Sequence, residues 1–128
     1  MKTEVLNILE LVNARCKRHE WLDAYITRAD TEVLVISFSE DFCYYHNFSL
    51  RFVQPQFISV NSMWRVNTRE QVLSLPTTEE ARQLKLKTGA VKGGTIYKLI
   101  DEDGIEMFVN SASVELDDTL VQYPQASV

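Results

Sequence analysis

Glycine and proline are scarce in this chain, at four and three residues of 128. A disordered or low-complexity chain would be richer in both, so that class is excluded. Cysteine is scarcer still. Cys16 and Cys43 stand alone, without a CxxC pair, which excludes a disulfide framework. His19 and His46 are the only histidines, and neither is assigned to a metal site. Long apolar runs are missing. The longest uncharged one, Val33-Leu34-Val35-Ile36, is far short of a membrane span. Positive charge is the minority sign, with 13 basic against 18 acidic residues and a formal charge of −5. A duplex-binding protein needs a basic footprint, so nucleic-acid binding is not expected. The local group Arg82, Lys85, Lys87 and Lys92 reads as a solvated face. The first residues are broken by Asn7, Glu10 and Asn13 and lack the apolar core of an export signal, so a reduced, cytoplasmic protein without membrane attachment is expected.

What remains is an ordinary globular composition, 45% hydrophobic and 24% charged, read as one domain over residues 1–128. Thr3 is placed to cap a first helix. Val5, Leu6, Ile8, Leu9, Leu11, Val12 and Cys16 recur at helical spacing, and Arg15, Lys17 and Arg18 suit its carbonyl end, near His19. Residues 21–27, 32–38 and 44–53 then read as a meander of strands. In the third, His46, Phe48, Leu50 and Phe52 alternate with Tyr45, Asn47, Ser49 and Arg51. Pro55 breaks the ladder, leaving residues 57–60 as a bulged continuation or a new strand.

Two capping boxes follow, Thr68 with Gln71 and Thr77 with Glu80, each predicting a short helix. Gly89, Gly93 and Gly94 mark a flexible connection. Asp103-Gly104 between two apolar runs signals a hairpin with a type I′ turn, its second arm extending through residues 112–116. From about residue 118 the tail is expected to fray. The predicted fold class is α+β: an N-terminal helix, an antiparallel meander of three to four strands, one or two short helices and a C-terminal β-hairpin, with helices on one face of an open sheet.

Chemistry is thin. Residues 89–95 lack the Gly-Lys-Ser/Thr of a phosphate loop and lead into a strand where a phosphate cradle must open a helix. Residues 101–104 lack a calcium loop's spacing. Cys43 and His46 project to opposite sides of a strand, which disfavours a nucleophile pair. The acidic pairs read as solvated charge. No catalytic residue, cofactor or metal ligand is assigned, and the balance leans against an enzyme without deciding it. Trp21 and Trp64 are both expected in the core, with Trp64 and Arg65 also fitting a partner contact.

The segments His46-Asn47-Phe48-Ser49-Leu50-Arg51-Phe52, Phe57-Ile58-Ser59-Val60 and Trp64-Arg65-Val66-Asn67-Thr68, closing with the Asp-Gly hairpin, resemble a family of small bacterial α+β domains of unknown function. The resemblance covers roughly the last two thirds of the chain and implies no activity. Size and acidity are similar to those of immunity proteins of bacterial toxin systems.

The expected role is therefore a non-enzymatic interaction domain, binding a protein partner or itself as a homodimer through a sheet face or edge. Its candidate contacts are Tyr44, Tyr45, His46, Trp64 and Arg65. An immunity-like form would use an acidic surface of Asp101, Glu102, Asp103, Asp117 and Asp118 against a basic toxin. The alternatives are a small-molecule or catalytic site in which Tyr44, His46 and Trp64 converge, and a dimeric chaperone of secreted proteins.

Overall fold

The computed structural model describes residues 2–88 and 93–125. It is mixed α and β, with two helices and mostly antiparallel sheets. In chain order the elements are α1 (Lys2–Cys16), β1 (Leu22–Ala29), β2 (Val33–Ser39), β3 (Tyr45–His46), β4 (Phe48–Val53), β5 (Phe57–Ser59), β6 (Met63–Val66), β7 (Leu73–Ser74), α2 (Thr78–Thr88), β8 (Thr95–Ile100), β9 (Glu106–Ser111), β10 (Ser113–Asp117) and β11 (Val121–Gln122). The strands form a five-stranded sheet ordered β10-β4-β2-β1-β6, a four-stranded sheet ordered β5-β9-β8-β7, and the small pair β11-β3.

The two larger sheets are joined at both ends. β9 runs into β10 through Ala112, whose N–H donates to the Val53 carbonyl at 2.9 Å. At the other end Val66 bridges Asp101, and the Glu102 N–H donates to the Arg65 carbonyl at 2.9 Å. The strands therefore run a circuit around one core, where a helix-backed open sheet was expected. Leu34, Ile36 and Phe38 of β2 and Phe48, Leu50 and Phe52 of β4 fill it from one sheet, with Tyr97, Leu99, Met107 and Val109 from the other. Phe38 stacks on Phe48 at 4.8 Å, and Phe52 meets Tyr97 edge-on at 5.7 Å across the sheets. Burying aromatic area on this scale is the main stabilising term.

α1 packs with Leu9, Val12 and Cys16 inward and Val5 and Ile8 partly buried, whereas Leu6 and Leu11, expected in the same stripe, face outward. It begins at Lys2, ahead of the Thr3 expected to cap it, and its last regular turn ends at Cys16, with turn hydrogen bonds continuing to His19.

Three local expectations are corrected. The Thr68–Gln71 capping box does not form. Thr68 Oγ1 donates to the Glu20 carbonyl instead, and Asn13 on α1 claims the next segment. Its Oδ1 accepts from the backbone N–H of Val72 and Leu73 at 2.8 and 3.0 Å, and its Nδ2 donates to the Leu73 carbonyl at 2.8 Å. A side-chain amide thus supplies the hydrogen bonds a neighbouring strand would, and residues 73–74 become β7 beside β8. The hairpin turn is not type I′. Gly104 has φ +81°, Asp103 has no positive φ, and the Gly104 N–H donates to the Asp101 carbonyl, which defines a three-residue loop with a glycine bulge. The long third strand is broken at Asn47, whose N–H donates to the Phe38 carbonyl while its Oδ1 accepts from the Glu40 N–H. Phe48, Leu50 and Phe52 keep their alternation; His46 does not share it.

The Thr77–Glu80 box forms as expected, with Glu80 N–H to Thr77 Oγ1 at 3.1 Å and Thr77 N–H to Glu80 Oε1 at 2.9 Å. α2 buries no residue fully and is tied to the sheet by Lys98, which pairs with both Glu80 and Glu106. Residues 57–59 are a new strand on β9, reached after Gln54 turns the chain with φ 50° ahead of Pro55. The glycine connection at Gly89 lies outside the described residues, and Gly94 abuts the Asn110 side chain so closely that a Cβ would collide with its Oδ1. The tail does not fray at 118. β11 pairs with β3, and the Tyr123 N–H donates to the Tyr44 carbonyl at 2.7 Å.

Asn13→Ala leaves two buried N–H donors without partners, and should lower unfolding free energy by about 2–3 kcal/mol in urea titration. Asn13→Asp keeps the acceptor and loses the donor, so its loss should be smaller.

Candidate functional site

The reverse face of β2 carries Val33, Val35, Ser37 and Ser39, and all four are buried. Small side chains let other segments settle on this face, and their hydroxyls need partners once covered. Ser37 Oγ lies 2.9 Å from both Thr27 Oγ1 on β1 and Ser49 Oγ on β4. Ser49 Oγ lies 3.3 Å from His46 Nε2, and His46 Nδ1 lies 2.9 Å from the Tyr123 hydroxyl. Five side chains from β1, β2, β4, β3 and the tail thus form one continuous polar chain. Tyr45, Asn47, Ser49 and Arg51 were expected to leave this face open. Instead Asn47 and Ser49 are buried and Tyr45 and Arg51 half-buried.

Ser49, His46 and Tyr123 have the outline of a nucleophile, a base and the group that orients it. Access argues against that use: Ser49 is only 5% exposed, and its hydroxyl is shared with Ser37. The surface hollows on α1, the hairpin base and the sheet edges, of about 330 to 430 Å³, are lined by other residues. The chain of hydroxyls works as a clasp that holds the tail over the serine row. Burial pushes the His46 pKa below its ordinary value of 6.5, opposed by the Asp117 carboxylate.

Trp64 lies on the other side of the sheet. It pairs with Ala24, which pairs with Phe38, and all three face the core. Its indole N–H has no acceptor among the described residues, so Trp64 contributes packing alone. Tyr44 is exposed and meets the tail through its backbone carbonyl. Tyr44, His46 and Trp64 do not converge. Both His46 ring nitrogens are engaged away from Cys43, which is exposed, while burial pushes the thiol of Cys16 up to about 12.

The expected acidic surface is divided. Asp101 is 8% exposed and works inside the hairpin, its Oδ1 accepting from the N–H groups of Asp103 and Ile105. Asp118 pairs with Arg15 at 2.6 Å. Glu102 and Asp103 sit beside β6 and Asp117 on β10, at opposite edges of the five-stranded sheet.

Arg65 leads to a different feature. On β1 and β6 the residues alternating with the core set are Asp23 and Tyr25, opposite Arg65 and Met63. The Arg65 guanidinium lies 4.8 Å above the Trp21 ring and its Nε donates to Asp23 at 3.0 Å. Trp21, expected in the core, is 41% exposed, with Tyr25 at 42% and Met63 at 57%. Phe42 packs against Tyr25 at 5.3 Å. The result is a continuous aromatic, methionine and arginine surface. Hydrophobicity alone hid it, because a tryptophan beside a strand reads as core; the Trp21/Arg65 pairing depends on β1–β6 register, which no local pattern encodes.

No protein-family model matches the chain, and neither a curated protein nor a solved structure shows significant similarity to it.

Because the folded-state His46 pKa is lowered, the tail clasp should be at full strength above about pH 6.5 and weaken as pH falls from there to the folded value. Protection of the amides of residues 121–123, after correction for the intrinsic exchange rate, should fall over that range, and His46→Gln, which has no titrating ring, should remove most of the pH dependence. In thiol titration of the native protein, Cys43 should react and Cys16 should wait for unfolding.

Proposed function

We propose that this chain is a non-enzymatic protein–protein interaction domain that docks its partner on the outer face of β1 and β6. The observation that carries this reading is the exposure of Trp21, Tyr25 and Met63 side by side, with Arg65 laid on Trp21. Aromatics, methionine and arginine are the residue types enriched at interface centres, and leaving three large apolar side chains in water costs free energy that a partner would recover. Of the contacts expected from the sequence, Arg65 belongs to this surface. Trp64 supports it from behind, as the core residue between Met63 and Arg65.

Toxin neutralisation is the specific form of this role that the acidic balance of the chain supports. Self-association as a homodimer is the second. Trp64 faces the core while Tyr44 is exposed and His46 bonds to the tail, which weighs against the small-molecule reading.

The test is capture from a native bacterial lysate, with the wild-type chain and a Tyr25→Ser/Met63→Ser double variant as parallel baits. A stoichiometric partner should be retained by the first and lost by the second, at unchanged thermal stability to within a few degrees. Turnover of any substrate that disappears with His46→Ala or Cys43→Ser would refute the non-enzymatic reading.

A further inference from the structure

Resting on that reading, we infer that the β1–β6 surface takes a partner protein that presents basic side chains around an apolar centre, and not a second copy of this chain. The charges around the surface decide it. Among the described residues paired or stacked in it, Arg65 is the one cation, and it is already committed: Asp23 accepts from its Nε at 3.0 Å and Trp21 covers its guanidinium. Glu102, whose backbone N–H is bonded to the Arg65 carbonyl, adds a second carboxylate to the field at Arg65. One arginine therefore faces two acids, and the exposed Asp103 follows at the hairpin tip. The margin of the surface is net negative, as is the chain, at −5.

A two-fold dimer through this patch would bring two net-negative margins together, with no free cation among the described residues of either patch to answer. Like charges at an interface margin disfavour mispairing and slow encounter. A basic margin on the partner does the reverse. It matches Glu102 and the unpaired lone pairs of Asp23, and the overall charge steers it in. Tyr25 and Met63 then supply the dry centre, with Trp21 held flat by Arg65.

The experiment uses three synthetic cyclic peptides with the same aromatic centre and flanks that are basic, neutral or acidic. Binding to the full chain is followed by the emission of the exposed Trp21. The basic peptide should bind most tightly. Glu102→Lys, a change at an exposed loop position that keeps its backbone bond, should weaken it about tenfold at low salt, and the difference should shrink in high salt. Tyr25→Ser/Met63→Ser should abolish binding of all three. Equal binding of the acidic or neutral peptide, or indifference to Glu102→Lys, would overturn the charge assignment while leaving an interaction surface in place. Binding of none of the peptides would overturn it as well. Sedimentation as a dimer that Met63→Ser converts to monomer would assign the surface to a second copy instead.

Discussion

The carboxamide of Asn13 is the contact on which the rest of the arrangement depends. It binds residues sixty positions away in the chain, and it does so with both of its polar atoms. By satisfying the N–H groups of Val72 and Leu73 it removes the reason for that segment to coil into a helix and makes it a strand. β7 then has a fixed place beside β8, and α1 has a fixed place beside β7. The apolar side of α1 is thereby pressed into the space the two sheets enclose. A leucine at position 13 would suit the helical stripe better and would lose all of this.

A second constraint comes from the centre of the five-stranded sheet, at β2 and β4, being covered on both faces. The core face is filled by phenylalanines and aliphatics. The reverse face of β2 is buried as well, and it is lined by serines, so its cover must bring hydrogen bonds with it. His46 and Tyr123 do. That cover extends over β2 and β4 and stops short of β6. The corner formed by β1 and β6 keeps Trp21, Tyr25 and Met63 exposed, with Phe42 packed beside Tyr25, and the proposed docking surface rests on this unequal covering.

Much of the fold was legible in the sequence. Helical spacing marks α1, period-two alternation marks the Phe48-Leu50-Phe52 part of β4, and the Thr77–Glu80 box opens α2 as its residue types predict. These are local patterns with local causes. The failures share a cause too. Thr68 and Gln71 have the form of a capping box, but the competing acceptor, Glu20, and the competing amide, Asn13, come from elsewhere in the chain. His46 continues the alternation of its strand on paper and leaves it in space, because the strand breaks at Asn47, whose N–H turns to the Phe38 carbonyl. Trp21 reads as core for its size, and only the pairing of β1 with β6 shows that it stands beside Arg65. The candidate site was less legible than the fold for the same reason: it is made of register and tail docking, and neither is written in any window of neighbouring residues.

The bend that carries β9 into β10 also has a bearing on how the chain acquires its shape. The first strand pairing available to a chain emerging from its N-terminus is β1 with β2, followed by β4 on β2 and β6 on β1. The outer edge of β4 then stays bare, with its row of backbone donors and acceptors, until residues 113–117 are made. α1, whose resting place includes β7 and β10, waits equally long. Closure is thus a late and long-range event, of the kind that makes folding slow. During that interval the half-built sheet is a template for another chain's strand, and a cell making this protein gains from shielding it until β10 arrives.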